Sequence, residues 1–202
     1  LQSALERFIS GGTFNPSAID VTVLQTVRVE ENRLAWLVYL IGALIGSRTT
    51  LSTSVDNDQL DAELVSRVLK LMRLLDMRLM VIASSPCGQD VATTLCSMSA
   101  GASRLELAII NFLEHFRRTY IYQSLANSVG ISDEIMMLRV FTAKILSNLR
   151  YWSAQDIVLQ PTLSLFGELA SSYSAMRKLL RLDDINFMLM NHTVGFVPII
   201  SC

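Results

Sequence analysis

The chain has 202 residues, of which 51% are hydrophobic and 17% are charged, and its formal net charge is -1. This is enough apolar material for a large buried core, so the composition excludes a disordered chain. Because 17 Lys and Arg stand against 18 Asp and Glu, the chain offers no strongly basic surface for phosphate backbones. We therefore do not expect direct binding to nucleic acid.

The stretch from Leu34 to Gly46 is the one place where a membrane span has to be considered, since the mean hydropathy is +0.40. Arg33 and Arg48 bound this stretch, and it is well short of the roughly 20 apolar residues that a bilayer span requires. We therefore expect a buried helix there and no membrane insertion. The opening residues show no secretory signal, so we expect a reducing compartment.

Apolar residues recur at the helical period along most of the chain, and few segments alternate as strands do. After a short amphipathic start, the segment from Gly11 to Pro16 interrupts the pattern. The next helix centres on Asn32 to Gly46, and its apolar residues surround the axis, which is typical of an internal helix. Trp36 lies in this helix, and as a buried aromatic side chain it would cost roughly 3 to 5 kcal/mol to truncate.

Three further helices are predicted to have one apolar face each. Their apolar stripes are Leu64, Val68, Leu71 and Leu75 within Asp61 to Leu75; Leu105, Ile109, Phe112, Phe116 and Tyr120 within Arg104 to Tyr122; and Leu138, Phe141, Ile145 and Leu149 between Ser132 and about Arg150. Pro161 suits the first turn of a following helix. Two shorter helices are predicted at Ala175 to Arg181 and at Asp184 to Met190.

Together these elements form about three successive helix pairs, each too narrow to enclose its own apolar face. The predicted fold is therefore all-α, an α-solenoid of antiparallel helix pairs like HEAT or armadillo repeats, with residues 1–202 as a single segment. The small-residue segment Ser84 to Ser103 interrupts the helical pattern. Its preferred interpretation is an inserted flexible loop, and the alternative is a mobile partner-binding loop.

Sequence motifs for catalysis are missing, since no phosphate-binding, zinc-protease or serine-hydrolase pattern occurs. We therefore expect no enzyme activity, no cofactor and no metal. Cys87, Cys96 and Cys202 lack metal-ligand spacing and are expected to be free thiols. His115 is interpreted as a surface or packing residue. The nine methionines could form an adaptable binding groove, but core packing is the simpler interpretation.

Several segments, in one order along the chain, resemble the exportin-7 (Ran-binding protein 16) family of importin-β-type nuclear transport receptors. These segments are Arg33–Gly46, Asp61–Val65 with Val68–Met72, Leu105–Ala108 with Phe112–Arg117, Lys144–Trp152, Arg177–Leu179, and Phe187–Thr193. The resemblance is collinear from about Glu30 to Thr193. It implies that the chain forms central HEAT repeats of such a receptor.

The resemblance also implies partners and a location. A receptor of this family binds protein cargo, Ran-GTP and nucleoporins and shuttles between nucleus and cytoplasm through the nuclear pore complex, with the main Ran-GTP contacts outside this segment. The second helix of each pair would face the partner, so its charged residues are the candidate contacts. They are Glu63, Arg67, Lys70, Arg73, Glu134, Lys144, Arg177, Lys178 and Arg181.

Other classes of function stay open at this stage. The main alternative is a general HEAT or armadillo scaffold for protein-protein interactions without transport activity. A small helical membrane protein and an enzyme follow, and neither has a motif in its favour.

Overall fold

The computed structural model describes residues 21–47, 55–84, 92, 96, 100–120, 134–171 and 173–191. Nearly all of these residues are helical, and none of them lies in a strand, which confirms the predicted all-α class. In chain order the helices are α1 (Val21–Ser47), α2 (Val55–Ala83), α3 (Ala100–Tyr120), α4 (Glu134–Tyr151), α5 (Asp156–Leu169), α6 (Tyr173–Leu179) and α7 (Asp183–Asn191). In these ranges no helix combines the length and apolar character needed to cross a bilayer.

The helices form two rows. The first row is α1, α3 and α5, because α1 packs most extensively on α3, which packs in turn on α5. Neighbours in this row run parallel. Arg104 Nη1, near the start of α3, donates to Asn32 Oδ1 in the first half of α1 at 2.9 Å, and Gly46 near the end of α1 faces His115 near the end of α3. Arg117, near the end of α3, pairs with Glu168, near the end of α5. The second row is α2, α4 and α7.

Consecutive helices that belong to different rows are antiparallel. Arg78 Nη1, near the end of α2, lies 3.5 Å from Glu31 Oε1 in the first half of α1. Phe116, near the end of α3, stacks on Phe141, early in α4, with ring centroids 6.4 Å apart. Antiparallel pairs stacked side by side are the α-solenoid that the sequence predicts.

The interface between α1 and α3 depends on two glycines one helical turn apart. The backbone of Phe112 lies so close to Gly42 that a Cβ added to Gly42 would be 3.3 Å from the Cα of Phe112. A Cβ added to Gly46 would collide with the imidazole of His115. Small residues at spacing i, i+4 form a shallow groove on one face of a helix. His115 is therefore a packing residue at this interface, as the sequence indicates.

Apolar stripes predicted for α3 and α4 form the centre of the core. Leu105, Ile109, Phe112 and Phe116 of α3 and Leu138, Phe141, Ile145 and Leu149 of α4 are all buried. The stripe predicted for α2 is rotated: Val68 is buried, but Leu64, Leu71 and Leu75 are only partly buried. The buried face of α2 instead carries Val65, Leu69 and Met72.

Trp36 corrects the expectation that α1 is covered on most sides. Its side chain is 72% exposed, and Leu37, Leu40 and Leu44 are exposed on the same side of the helix. Ala35, Val38 and Ile45 are buried on the other side, towards α3. The apolar residues do surround the axis of α1, but within the described residues only one of its faces is packed.

The prediction for Pro161 is also wrong in position. α5 begins at Asp156, so Pro161 lies inside the helix rather than in its first turn. Pro161 has no backbone N–H and so removes one hydrogen bond from the helix. Burial of flanking side chains such as Val158 and Leu165 offsets this loss.

The predicted flexible loop Ser84 to Ser103 is partly helical. Ala92 and Cys96 are helical and buried, and α3 already begins at Ala100. The next residue, Gly101, packs against Glu31 of α1, where an added Cβ would lie 2.9 Å from a carboxylate oxygen. Other predictions, on residues 1–20, 121–133 and 192–202, lie outside the described residues, as do Cys87 and Cys202.

Candidate partner-binding surface

Helix α2 presents the first group of candidate contacts. Glu63, Arg67, Lys70 and Arg73 are all exposed. Arg67 Nη2 lies 2.5 Å from Glu63 Oε1, an i,i+4 ion pair between two well-exposed side chains. Such a pair contributes only a few tenths of a kcal/mol to helix stability. These side chains are thus available to a partner at little cost to the fold.

A second group of cations comes from α6, the short helix between α5 and α7, and from the turn that follows it. Arg177 and Arg181 are exposed, and Lys178 is partly buried. The guanidinium of Arg177 lies over the ring of Tyr173 at 5.8 Å from its centroid. This cation-π contact orients the guanidinium along the exposed side of the helix. Glu134, another candidate, is the first residue of α4.

Lys144 is a candidate that the structure places away from solvent. Its side chain is 1% exposed, and its ammonium lies 2.5 Å from Glu106 Oε1 and 2.8 Å from Asp76 Oδ1. Ser147 Oγ donates to the same Asp76 oxygen at 2.8 Å. The expectation that Lys144 is a wet contact residue is therefore wrong. It joins α4 to α3 of its own pair and to α2 of the preceding pair.

Electrostatics inside this cluster, Lys144 with Glu106 and Asp76, are dominated by burial. Burial raises the pKa of Glu106, and the ammonium of Lys144 only partly opposes that shift. For Lys144, burial lowers the pKa, but the two flanking carboxylates outweigh it and leave the pKa above its ordinary value. A buried ammonium between two carboxylates stays charged, so the cluster acts as an ionic link between helix pairs.

Cys96 is placed close to the same cluster. Burial and the nearby Glu106 carboxylate raise the pKa of its thiol to about 12. A thiol with so high a pKa is almost never a thiolate, and the thiolate is the reactive form. Cys96 is a free and buried cysteine.

Further polar contacts join the second pair to the third. Asn148 Nδ2 of α4 donates to Thr162 Oγ1 of α5 at 3.0 Å, and both side chains are buried. Thr142 Oγ1 of α4 donates weakly to Asp184 Oδ2 of α7 at 3.4 Å. Polar contacts of this kind fix how far one helix can slide along another, because a shift would leave buried groups unpaired.

A groove of about 630 Å³ runs between α2 and α4 on the second row. We call it the methionine groove, because Met72, Met77, Met80 and Met136 line it. Three arginines also line it, together with Asp76, Lys144 and Asp184; they are Arg73, Arg139 and Arg150. The groove therefore combines an apolar lining with several guanidinium groups.

Sequence reasoning missed most of this arrangement. Glu106 shares the apolar face of α3 with Ile109 and Leu113 at i+3 and i+7, and Lys144 follows the same rule on α4 beside Phe141. Opposite charges on the buried faces of consecutive helices were the available signal. The sequence signal for the groove was weaker. Met136 hinted at it, but the groove is formed by residues of separate helices, so no single segment of the sequence shows it.

Antiparallel helix pairs stacked into two rows define a class of protein, the helical-repeat or solenoid proteins. Comparison with known proteins gives the particular family. Residues 14–201 match the family model described as Exportin-7-like, TPR domain. The chain belongs to this exportin-7-like family.

Relatives with curated names agree with the family model. The chain is 39% identical to Exportin-7-B of Xenopus laevis over 175 residues, and this match covers 82% of the chain and 14% of Exportin-7-B. It is 36% identical to Ran-binding protein 16 of Drosophila melanogaster over 198 residues, and this match covers 94% of the chain and 16% of the relative. Against Ran-binding protein 17 of Homo sapiens the identity is 33% over 185 residues, 87% of this chain and 15% of the relative.

The chain thus spans only about one seventh of the length of Exportin-7-B, the first of these relatives. No solved structure matches it.

Proposed function

We propose that this chain is a cargo-binding segment of a nuclear export receptor. The observation that carries the proposal is the identity of 39% and 36% to proteins named as an exportin and as a Ran-binding protein, over 82% and 94% of this chain. In the whole receptor, Ran-GTP and nucleoporins would be further partners, with the main Ran-GTP contacts outside this segment. Such a receptor would shuttle between nucleus and cytoplasm through the nuclear pore complex and would carry out no catalysis.

The exposed face of α1 supports a place within a longer stack. Trp36, Leu37, Leu40 and Leu44 lie on the side of α1 that points away from α3. A preceding helix pair of the receptor would pack there as α1 packs on α3, since every internal repeat of a solenoid buries both sides. A contiguous exposed apolar face of this kind is otherwise rare.

Charged residues of the second row support the cargo-binding role. The candidates are exposed or partly exposed side chains on α2, in the second row, and on α6, the short helix that leads into α7 of that row, and neighbouring helices of the described chain leave them accessible. Charges at the rim of an interface change the association rate and the salt dependence more than the fold. The row, without Lys144, is thus the surface on which cargo would dock.

The test is a charge reversal in the full-length receptor that contains this segment. Arg67, Lys70, Arg177 and Lys178 are changed together to Glu, and Ran-GTP-dependent capture of cargo is measured at two salt concentrations. We expect weaker capture and a smaller salt effect, while helix content is kept because exposed substitutions cost about 0.5 kcal/mol or less each.

A control reverses three exposed arginines of the first row, namely Arg28, Arg33 and Arg118, and keeps Arg104 because it bonds to Asn32 across the α1–α3 interface. It makes a similar change in net charge on the other side of the stack, so cargo capture should stay the same. Equal loss in both variants would remove the second-row assignment. If the unaltered receptor binds cargo but never responds to Ran-GTP, it is a general helical scaffold rather than an exportin.

A further inference from the structure

We propose that the methionine groove between α2 and α4 binds an acidic amphipathic helix of a protein partner. This inference deepens the proposed cargo-binding function and rests on it for the biological role of the partner. The groove itself is argued from its shape, its lining and its charge.

Apolar side chains of the groove are exposed although they are large. Met77 is 57% exposed, Met80 is 59% exposed and Met136 is 47% exposed. Methionine is unbranched and polarisable, so a surface made from it adapts its shape to different apolar partners. A partner that covers these three side chains would bury apolar surface that water now contacts.

The charge of the groove selects among apolar partners. Lys144 and Asp76 pair with each other in its floor, and the rest of the charged lining holds more guanidinium groups than carboxylates, with Arg73, Arg139 and Arg150 beside Asp184. Arg73 and Arg139 are exposed, and no ion pair to either guanidinium occurs among the residues that the structure describes. A partner with carboxylates beside its apolar face would gain charge-assisted hydrogen bonds that a neutral or basic partner could not.

The dimensions of the groove favour a helical partner. The lining runs from Met72 to Met80 on α2 and from Met136 to Tyr151 on α4, which at 1.5 Å per residue is about 12 Å and about 22 Å of helix. A helix of about 10 to 14 residues fits this length. Both walls are helices without free backbone groups, so an extended peptide would find no strand edge to pair with.

The experiment measures binding of a fluorescent peptide to the full-length receptor that contains this chain, by fluorescence anisotropy. The peptide has about 14 residues, with leucines at i, i+3, i+4 and i+7 and glutamates beside them, the anchor pattern of a helix in a groove. Two control peptides separate the two contributions. One keeps the leucines and replaces every glutamate by lysine, and the other keeps the glutamates and replaces every leucine by alanine.

We expect only the first peptide to bind, and Arg139→Glu to weaken its binding about five- to tenfold at 0.1 M salt. The matched control is Arg118→Glu, which reverses one exposed arginine on α3 outside the groove and should change binding less than twofold. Met77→Ala tests the apolar lining and should also weaken binding. Circular dichroism checks that each variant folds, and Arg73→Gln replaces any variant that does not.

Binding of the lysine peptide as tight as the glutamate peptide would overturn the proposal, as would equal weakening by Arg118→Glu or no binding at 100 μM peptide. The two control peptides use the unaltered chain, so they decide the question even if a variant misfolds. No Ran is present in this assay. If the peptide binds but the receptor captures no cargo in a Ran-dependent way, the binding role of the groove is supported and only the transport function is contradicted. If the receptor captures Ran-dependent cargo but the peptide does not bind, only the binding role of the groove is contradicted.

Discussion

The α1–α3 interface and the junction of α2, α3 and α4 hold neighbouring helix pairs together in different ways. Between α1 and α3 the contact is mainly apolar and close, and it depends on Gly42 and Gly46 facing Phe112 and His115. At the junction the contact is ionic, with Lys144 between two carboxylates. Neighbouring helix pairs of one solenoid are thus held in register by close packing at one interface and by buried charges at the other.

The two kinds of contact differ in what they tolerate. An apolar interface can lose a methyl group and partly collapse around the space, so its losses are graded. A buried ion cluster has no partial state, since removal of one partner leaves the other charge buried and unpaired. We expect mutations at the junction to be more severe than mutations of similar size between α1 and α3.

The largest effect is expected for Lys144→Met. This change leaves Glu106 without its counter-ion in a buried site, so the free energy of unfolding should fall by about 3 to 5 kcal/mol. Urea denaturation followed by circular dichroism measures it. Lys70→Met, which removes an exposed ammonium on α2, is the matched control and should stay within about 0.5 kcal/mol.

The double change Lys144→Met with Glu106→Leu sharpens the result. If the loss comes from an uncompensated carboxylate, removal of that carboxylate should restore part of the stability, and the two changes should not be additive. A loss below about 1 kcal/mol for Lys144→Met alone would contradict the view that the junction depends on its ionic cluster.

Alkaline pH should weaken the same junction without any mutation. The flanking carboxylates hold the pKa of Lys144 above its ordinary value of 10.5 in the folded state. Its contribution to stability is therefore complete below pH 10.5 and is lost as the pH rises through the higher folded-state pKa. Urea midpoints at pH 9 and pH 11.5 should differ more for the unaltered chain than for Lys144→Met. Equal differences would exclude Lys144 as the source of the pH effect.

Gly46→Ala tests the apolar interface between α1 and α3. The new methyl group would collide with the imidazole of His115, and overpacking of this kind costs about 1 to 3 kcal/mol. Alanine favours the helix by up to about 1 kcal/mol, so the net loss should be about 1 kcal/mol. Thermal unfolding measures the change.

Gly167→Ala is the control of opposite sign. Gly167 lies in α5, and a Cβ there would have no heavy atom within 4 Å. Only the helix preference remains, so this substitution should stabilise the chain by about 0.5 to 1 kcal/mol. Stabilisation by both glycine changes would show that α1 and α3 are not as close as described.

The smallest effect is expected for Trp36→Ala. Because the side chain is 72% exposed, its removal from this chain should cost about 0.5 kcal/mol, far below a buried aromatic residue. Phe116→Ala, at a fully buried ring, should cost about 3 to 5 kcal/mol and is the comparison to make in the same denaturation series. Similar losses for Trp36 and Phe116 would indicate that another part of the chain covers α1.

Much of the fold could be predicted from the sequence because one-sided helices encode their own packing. Leu138, Phe141, Ile145 and Leu149 recur at the helical period, and all four are buried in α4 as the pattern predicts. Less of the candidate surface could be predicted. Arg67 and Lys70 are exposed as expected, but Lys144 is not, since the carboxylates that hold it come from helices far away in the chain.

The sequence by itself determined most of the helices, their pairing into a repeat array and the family. Helices follow from the local periodicity of apolar residues, and the family follows from several similar segments in one order along the chain. Only the tertiary structure decided which apolar face of α1 is packed. Val38 and Leu40 are both apolar, but only Val38 faces α3 and is buried. It also decided that Lys144 is internal and that a methionine groove lies between α2 and α4. Burial and grooves belong to neighbouring helices together, so no single helix encodes them.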